Sequence, residues 1–199
     1  STIFAQKILN KPKGEQLGLV IVINGDEIPL AIRTLGFKKI NSYGNISFFE
    51  GSVSPDLIIS RIIPLREIIF IEDGSRIPKE EVQISNLDLS LNKINKVHSY
   101  FPLLNGDGFT VSVKENKPDT TDIDFKGRFL TTNLSSAIVS SHATNMTTLI
   151  GGAGNTWHLG KGVAWGSIIS SSNFSSLLPD APVSYQQYNI SVQNHSYGV

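Results

Sequence analysis

The sequence runs to 199 residues with 17 Lys+Arg against 17 Asp+Glu, a balance that offers no global field to draw the protein to nucleic acid or an anionic membrane. It has no cysteine, which excludes disulfides, zinc–thiolate sites and thiol catalysis and is compatible with export. No run of about 18 apolar residues is present to span a membrane, while a 40% apolar content supports a packed core in one medium domain or two small ones.

Ser1 to Gln6 reads either as the tail of a signal peptide cut after Ala5 or as a frayed terminus. Leu17 to Ile23 is a continuous apolar run, which predicts a buried strand. Asn24-Gly25-Asp26 turns the chain, and Glu27 to Leu35 has helical character ended by Gly36. Two short strands follow, Phe37 to Ile40 and Ile46 to Phe49, joined through Asn41-Ser42-Tyr43-Gly44. Ser54-Pro55-Asp56 combines a hydroxyl cap, a first-turn proline and an acid at the positive end of the dipole. The helix it starts reaches about Ile63, before Pro64, and Glu67 to Ile71 is a further strand. The order β-α-β-β-α-β predicts two helices on one face of a four-stranded antiparallel sheet, the ferredoxin-like arrangement. Glu72 to Ser85 is polar, contains Pro78 and lacks periodicity, so it reads as a linker.

Leu87, Leu91, Ile94 and Val97 then recur at helical spacing. Asn105-Gly106-Asp107-Gly108 introduces a strand over Phe109 to Val113, and Ala137 to Ser140 reads as a second strand. His142 to Ile150 carries Ala143, Met146, Leu149 and Ile150 on one side of a helix. Ser167 to Ser170 and Ile190 to Val192 look like further strands, and this alternation argues for a parallel, doubly wound sheet. From Phe129 onward the only Asp, Glu, Lys or Arg residues are Lys161 and Asp180. A surface of hydroxyls and amides with apolar runs between suits an α/β core of mostly buried strands.

His142 lies at the start of a helix just after a strand, the crevice position where open α/β sheets place their ligands. Glu115 ends another strand, and a carboxylate bonded to one ring nitrogen of a histidine fixes its tautomer and stabilises the imidazolium. Between Lys114 and Lys117 it reads equally well as a solvated charge, and periodicity does not choose between the two. His98, His158 and His195 are spaced in no zinc pattern. Gly151-Gly152-Ala153-Gly154 follows a helix, whereas a dinucleotide fingerprint follows a strand, so it reads as a helix exit.

A family resemblance does choose. Ser141-His142-Ala143-Thr144-Asn145-Met146, followed by Ile150-Gly151, resembles the histidine block of the subtilisin-like serine proteases, where a His-Gly-Thr-His-Val-Ala-Gly type segment opens a buried helix. Gly108 to Asn116 is similar to the Gly-Val-Thr-Val-Ala-Val-Ile-Asp strand that ends in the triad acid, here Glu115. Asp119 and Asp122 to Arg128 fit the His-Pro-Asp-Leu-Lys-Gly-Arg segment after it. Gly160 to Gly166 resembles the Gly-Val-Ala-Pro block, and Val192 to Gly198 resembles the Val-Ile-Asn-Met-Ser-Leu-Gly strand that lines the substrate cleft. Five blocks stand in the family's order over about 90 residues.

The resemblance implies an α/β protein: a ferredoxin-like α+β propeptide over 1–76, a linker with a maturation site over 77–85 that passes through the active site, and the N-terminal part of a doubly wound, parallel-sheet catalytic domain over 86–199. His142 would be the general base of a serine endopeptidase, Glu115 its orienting acid, and Ser196, Tyr197 and Gly198 the strand that pairs with substrate backbone. Glu115 is one methylene longer than the family's aspartate, which implies a local shift of about 1 Å to keep the hydrogen bond. Ala143, Thr144 and Asn145 also depart from the family block. No Gly-Thr-Ser occurs, so the nucleophile is absent from these residues. The expected partners are a peptide or protein substrate and the remaining C-terminal portion of the protease, held as a separate non-covalent chain because the sequence stops at Val199 directly after a strand. No cofactor is expected, although Asp124 matches a position that often ligates a structural calcium. The resemblance is to a bacterial branch that is secreted or held at the cell surface, often through the type IX route. The alternative is a non-catalytic binding protein on the same scaffold; a free propeptide-like inhibitor does not account for the long stretch after the linker.

Overall fold

The computed structural model describes residues 2–81, 89–175 and 177–198. It divides into two compact units, Ser1–Arg76 and Ile77–Val199.

In the first unit, α1 (Thr2–Asn10) precedes β1 (Leu17–Asn24), α2 (Leu30–Arg33), β2 (Lys38–Tyr43), β3 (Ile46–Val53), α3 (Pro55–Leu57) and β4 (Ile68–Asp73). The strands form one antiparallel sheet in the order β2-β3-β1-β4, the ferredoxin-like order expected. The apolar run of β1 takes a central place, where both edges are paired, in register from Leu17 opposite Val53 to Asn24 opposite Ile46. Its Leu19, Ile21 and Ile23 pack with Ile32 of α2 and with Ile58 and Ile62, all of them buried. Each such side chain contributes roughly 1.5–3 kcal/mol by leaving water.

Three local expectations are corrected in this unit. The first segment is a helix whose Ile8 joins the core with Phe4 packed against it, where a frayed terminus was one of the two readings. Helix α2 is a single turn and not the span from Glu27, because Pro29 biases Ile28 to extended backbone and Gly36 turns away at φ +83°. The helix begun by α3 widens into a π-turn over Ile58–Ile62, closed by the Ile63 N–H to the Ile58 carbonyl at 2.9 Å, and its Ser54 hydroxyl makes no capping bond.

In the second unit, β5 (Lys79–Glu80), α4 (Ile94–Tyr100), β6 (Thr110–Lys114), β7 (Phe129–Leu130), α5 (Ser141–Gly151), β8 (Ile168–Ser172), α6 (Pro182–Gln187), β9 (Ile190–Asn194) and β10 (Tyr197–Gly198) follow in turn. A parallel sheet runs β7-β8-β6-β9. After β6 the chain places β7 at the edge and then β8 between the two, and it crosses over to place β9 on the other side of β6. A switch of side at this point is where open α/β sheets form a crevice, beyond the carboxyl ends of their strands. All five residues of β6 are buried, and Val111 and Val113 pack with Met146 of α5 and Ile169 of β8. Leu149 and Ile150 complete the predicted apolar side of α5.

The strand expected over Ala137 to Ser140 is only a bridge between Lys117 and Val139, since two backbone bonds are all that it makes to the Lys117 neighbourhood. Ser170, Ser171 and Ser172 are buried in β8, so these hydroxyls belong to the sheet interior and not to the surface. The linker expected over 77–85 is not wholly irregular: Lys79–Glu80 pairs antiparallel with Tyr197–Gly198. Residues 82–85, and Leu87 of the expected helix, lie outside the described residues. Among the described residues no helix is long and apolar enough to cross a membrane.

Candidate active site

The bonding of β6 continues one residue past its end, where the Glu115 N–H donates to the Ser172 carbonyl at 2.8 Å. Strand alternation then puts Glu115 on the same side as Val113, the side that packs against α5. Ser140, extended at φ −136° and ψ 143°, starts α5 by accepting the Ala143 N–H on its hydroxyl at 3.1 Å. His142 is the second residue of that helix. Strand end and helix start thus bring His142 Nδ1 to 2.7 Å from Glu115 Oε2, with His142 only 5% exposed and Glu115 fully buried.

A carboxylate only accepts, so Nδ1 carries the proton of this bond and Nε2 is left as the nitrogen that can take one up. The extra methylene of Glu115 therefore does not cost the contact. Burial pushes the Glu115 carboxyl above its usual range, the Glu80 charge adds to that, and the His142 bond and the Ser196 hydroxyl pull the other way. Oε1 of Glu115 is buried with no hydrogen-bond partner.

Glu80 stands opposite Tyr197 in the β5–β10 pair. Its Oε1 accepts from Asn116 Nδ2 at 2.9 Å and from the Ser140 hydroxyl. Donor atoms of Glu80, Glu115 and His142 all lie within 4.8 Å of one another, a group of metal-ligand type that no sequence spacing announced. Beside it, Ser196 Oγ accepts from Asn194 Nδ2 at 2.7 Å, and Tyr197 Oη meets His195 Nδ1 at 2.6 Å. Burial and the Lys114 charge hold His195 below the usual imidazole value. His98, bonded at Nε2 to the Val163 carbonyl, and His158, edge-on to Trp157, take no part in the group. The Asp124 carboxylate accepts from the Asn155 N–H at 2.6 Å.

Of the residues singled out in the sequence, Glu115 and His142 come together, and Tyr197 and Gly198 carry a paired peptide segment with Ser196 just before them. Glu80 escaped the sequence reading, because a two-residue strand has no periodicity and its partner strand is far away in the chain.

The fold has a counterpart among solved structures. The fold is subtilisin-like. The chain is similar to fervidolysin from Fervidobacterium pennivorans, a keratinolytic enzyme related to subtilisin, at 14% identity and a TM-score of 0.53, over 95% of this chain and 36% of that one. The chain thus spans about a third of that protein's length. No family profile matches the sequence, and no curated protein does.

Proposed function

We propose that this chain is the front portion of a subtilisin-like serine endopeptidase, with residues 1–76 as its propeptide and 77–85 as the linker cut on maturation. The single observation that carries the reading is the buried 2.7 Å contact between His142 Nδ1 and Glu115 Oε2 at the crevice end of β6. The extended segment seated on Tyr197–Gly198 supports it, being what a bound peptide strand would resemble. The nucleophilic serine comes from sequence beyond these 199 residues, joined to them or held as a second chain.

In this mechanism the serine Oγ bonds to the scissile carbonyl carbon as its proton passes to His142 Nε2. His142 then gives that proton to the departing amine as the C–N bond breaks, and water repeats the sequence on the acyl-enzyme. Glu115 holds the ring and offsets the imidazolium charge. Secretion or cell-surface display is part of the proposal, as the setting in which a protease without cysteines and with a propeptide would work.

Labelling the full-length, matured protein with a fluorophosphonate tests it. Covalent labelling that disappears in His142→Ala is expected. Absence of labelling after confirmed loss of the N-terminal segment overturns the protease reading in favour of a binding protein on the same scaffold.

A further inference from the structure

The segment paired with β10 enters the site through one side chain, and the site receives it with prepared donors. Asn116 and Ser140 come from different elements, one just past β6 and one capping α5. The Ser140 hydroxyl accepts the Ala143 N–H, which leaves its own proton to point away from the helix toward Glu80 Oε1. Asn116 Oδ1 accepts from the Ser136 hydroxyl at 3.3 Å, which orients the amide so that Nδ2 donates to the same oxygen. Two oriented donors converging on one oxygen of a paired strand are a subsite for an acceptor side chain.

The neighbouring charges decide which acceptor gains most. In the ground state the carboxylate of Glu80 opposes that of Glu115. When His142 takes a proton the balance reverses, since a carboxylate within 4.8 Å of its ring nitrogen stabilises the imidazolium. The gain is realised only as the reaction proceeds, which is the kind of interaction that raises kcat. We infer that Asn116 and Ser140 form a subsite selecting an acidic side chain at the substrate residue opposite Tyr197, so that the preferred substrates are polypeptides with glutamate there. The inference rests on the peptidase reading and names its substrate class.

The test uses the matured full-length protein and internally quenched peptides of the chain's own sequence from Ser75 to Asn86, with Glu, Gln or Leu at position 80. Glu is expected to exceed Gln by about tenfold in kcat, from the charge alone. Leu is expected to lose a further tenfold or so in kcat/KM, from the two hydrogen bonds. In Asn116→Ala the Glu-to-Leu ratio contracts toward one. Equal rates for the three peptides, or a preference that survives Asn116→Ala, overturns the inference. The same peptides are also titrated by fluorescence polarisation against the protein, so that binding is read whether or not cleavage occurs. If nothing is cleaved but the Glu peptide binds about tenfold tighter than the Leu peptide, dependent on Asn116, the acidic subsite holds and the peptidase reading fails. If no peptide is cleaved or bound, both fail.

Discussion

Glu115 reaches His142 across a gap that aspartate would leave open, because removing its methylene withdraws the carboxyl by about 1.5 Å from a bond now at 2.7 Å. Glu115→Asp is therefore expected to lower kcat/KM at least tenfold in the full-length protein, although aspartate is the acid of the resembled family. Glu115→Gln keeps the shape and the Nδ1–H acceptor but cannot offset an imidazolium, and kcat should fall by about 10³ to 10⁴. Its stability should move the other way. Burial holds the Glu115 carboxyl above its usual range, so a neutral isostere is expected to melt at the same temperature or higher. A lower Tm in step with lost activity would mark Glu115 as structural. At this scale the legible residues were those inside a motif. The alternation along β6 gave Glu115 no meaning of its own, since Lys114 beside it is buried as well, paired with Asp180 at 2.8 Å. Glu80 belongs to the site through pairing over a long loop, which no local pattern encodes.

Helix α5 carries the histidine, and both of its ends are fixed by side chains. Ser140 holds the start. At the other end Arg128 donates Nη1 to the Ser167 carbonyl at 2.8 Å and Nη2 to the carbonyls of Gly151, at 2.6 Å, and Asp124. Val163 and Ala164 N–H groups satisfy the carbonyls of Leu149 and Ile150. A cation at this end also complements the helix dipole. Arg128→Met would strand three carbonyls, and about 3 kcal/mol or more of stability should be lost. That corresponds to a drop of about 12 °C or more in the melting of the second unit. Arg128→Lys should recover only part of it, having no fork to reach all three. Full recovery by lysine would show that charge, and not geometry, fixes the helix end. Elements of this kind were legible where apolar spacing and a cap coincide, as in α5, or where an apolar run is continuous, as in β1. Helix α6 begins with a proline at its first position but has no buried residue, so its sequence carries no stripe to read. The residues Ala137 to Ser140 look like a strand yet find a partner at only one position.

The two-part organisation was visible as the polar, aperiodic stretch Glu72 to Ser85 and as a switch from antiparallel to alternating strand–helix patterns, and texture changes again inside the second unit, which is nearly uncharged from Phe129 onward. What texture left open was where the remaining charge goes. From Phe129 onward Asp180 is the one acidic side chain, and it is buried against Lys114, with Ser172 and Gln193 also donating to it. Burial alone would push its carboxyl up, but the bonds from Lys114, Ser172 and Gln193 outweigh that and hold it below the ordinary carboxylate range. In the first unit Asp73 is lowered in the same way, by Lys7 and Ser75 against its own burial. A carboxyl whose folded pKa is depressed contributes stability above its unfolded value, about 3.9 for aspartate, and loses it as pH falls through the folded value. Both units should therefore lose stability below about pH 4, the first from a level Tm between about pH 7 and pH 5 and the second from one that is level or rises slightly over that range, as protonation relieves the raised Glu115 carboxyl. Asp180→Asn should lower the Tm at pH 7 and flatten the acid slope of the second unit, and Asp73→Asn should do so for the first. Thermal melts at stepped pH, followed by a tryptophan signal for the second unit, which contains both tryptophans, check this directly. A Tm unchanged between pH 7 and pH 3 would show that neither ion pair contributes to stability, leaving each unit to rest on its apolar core alone.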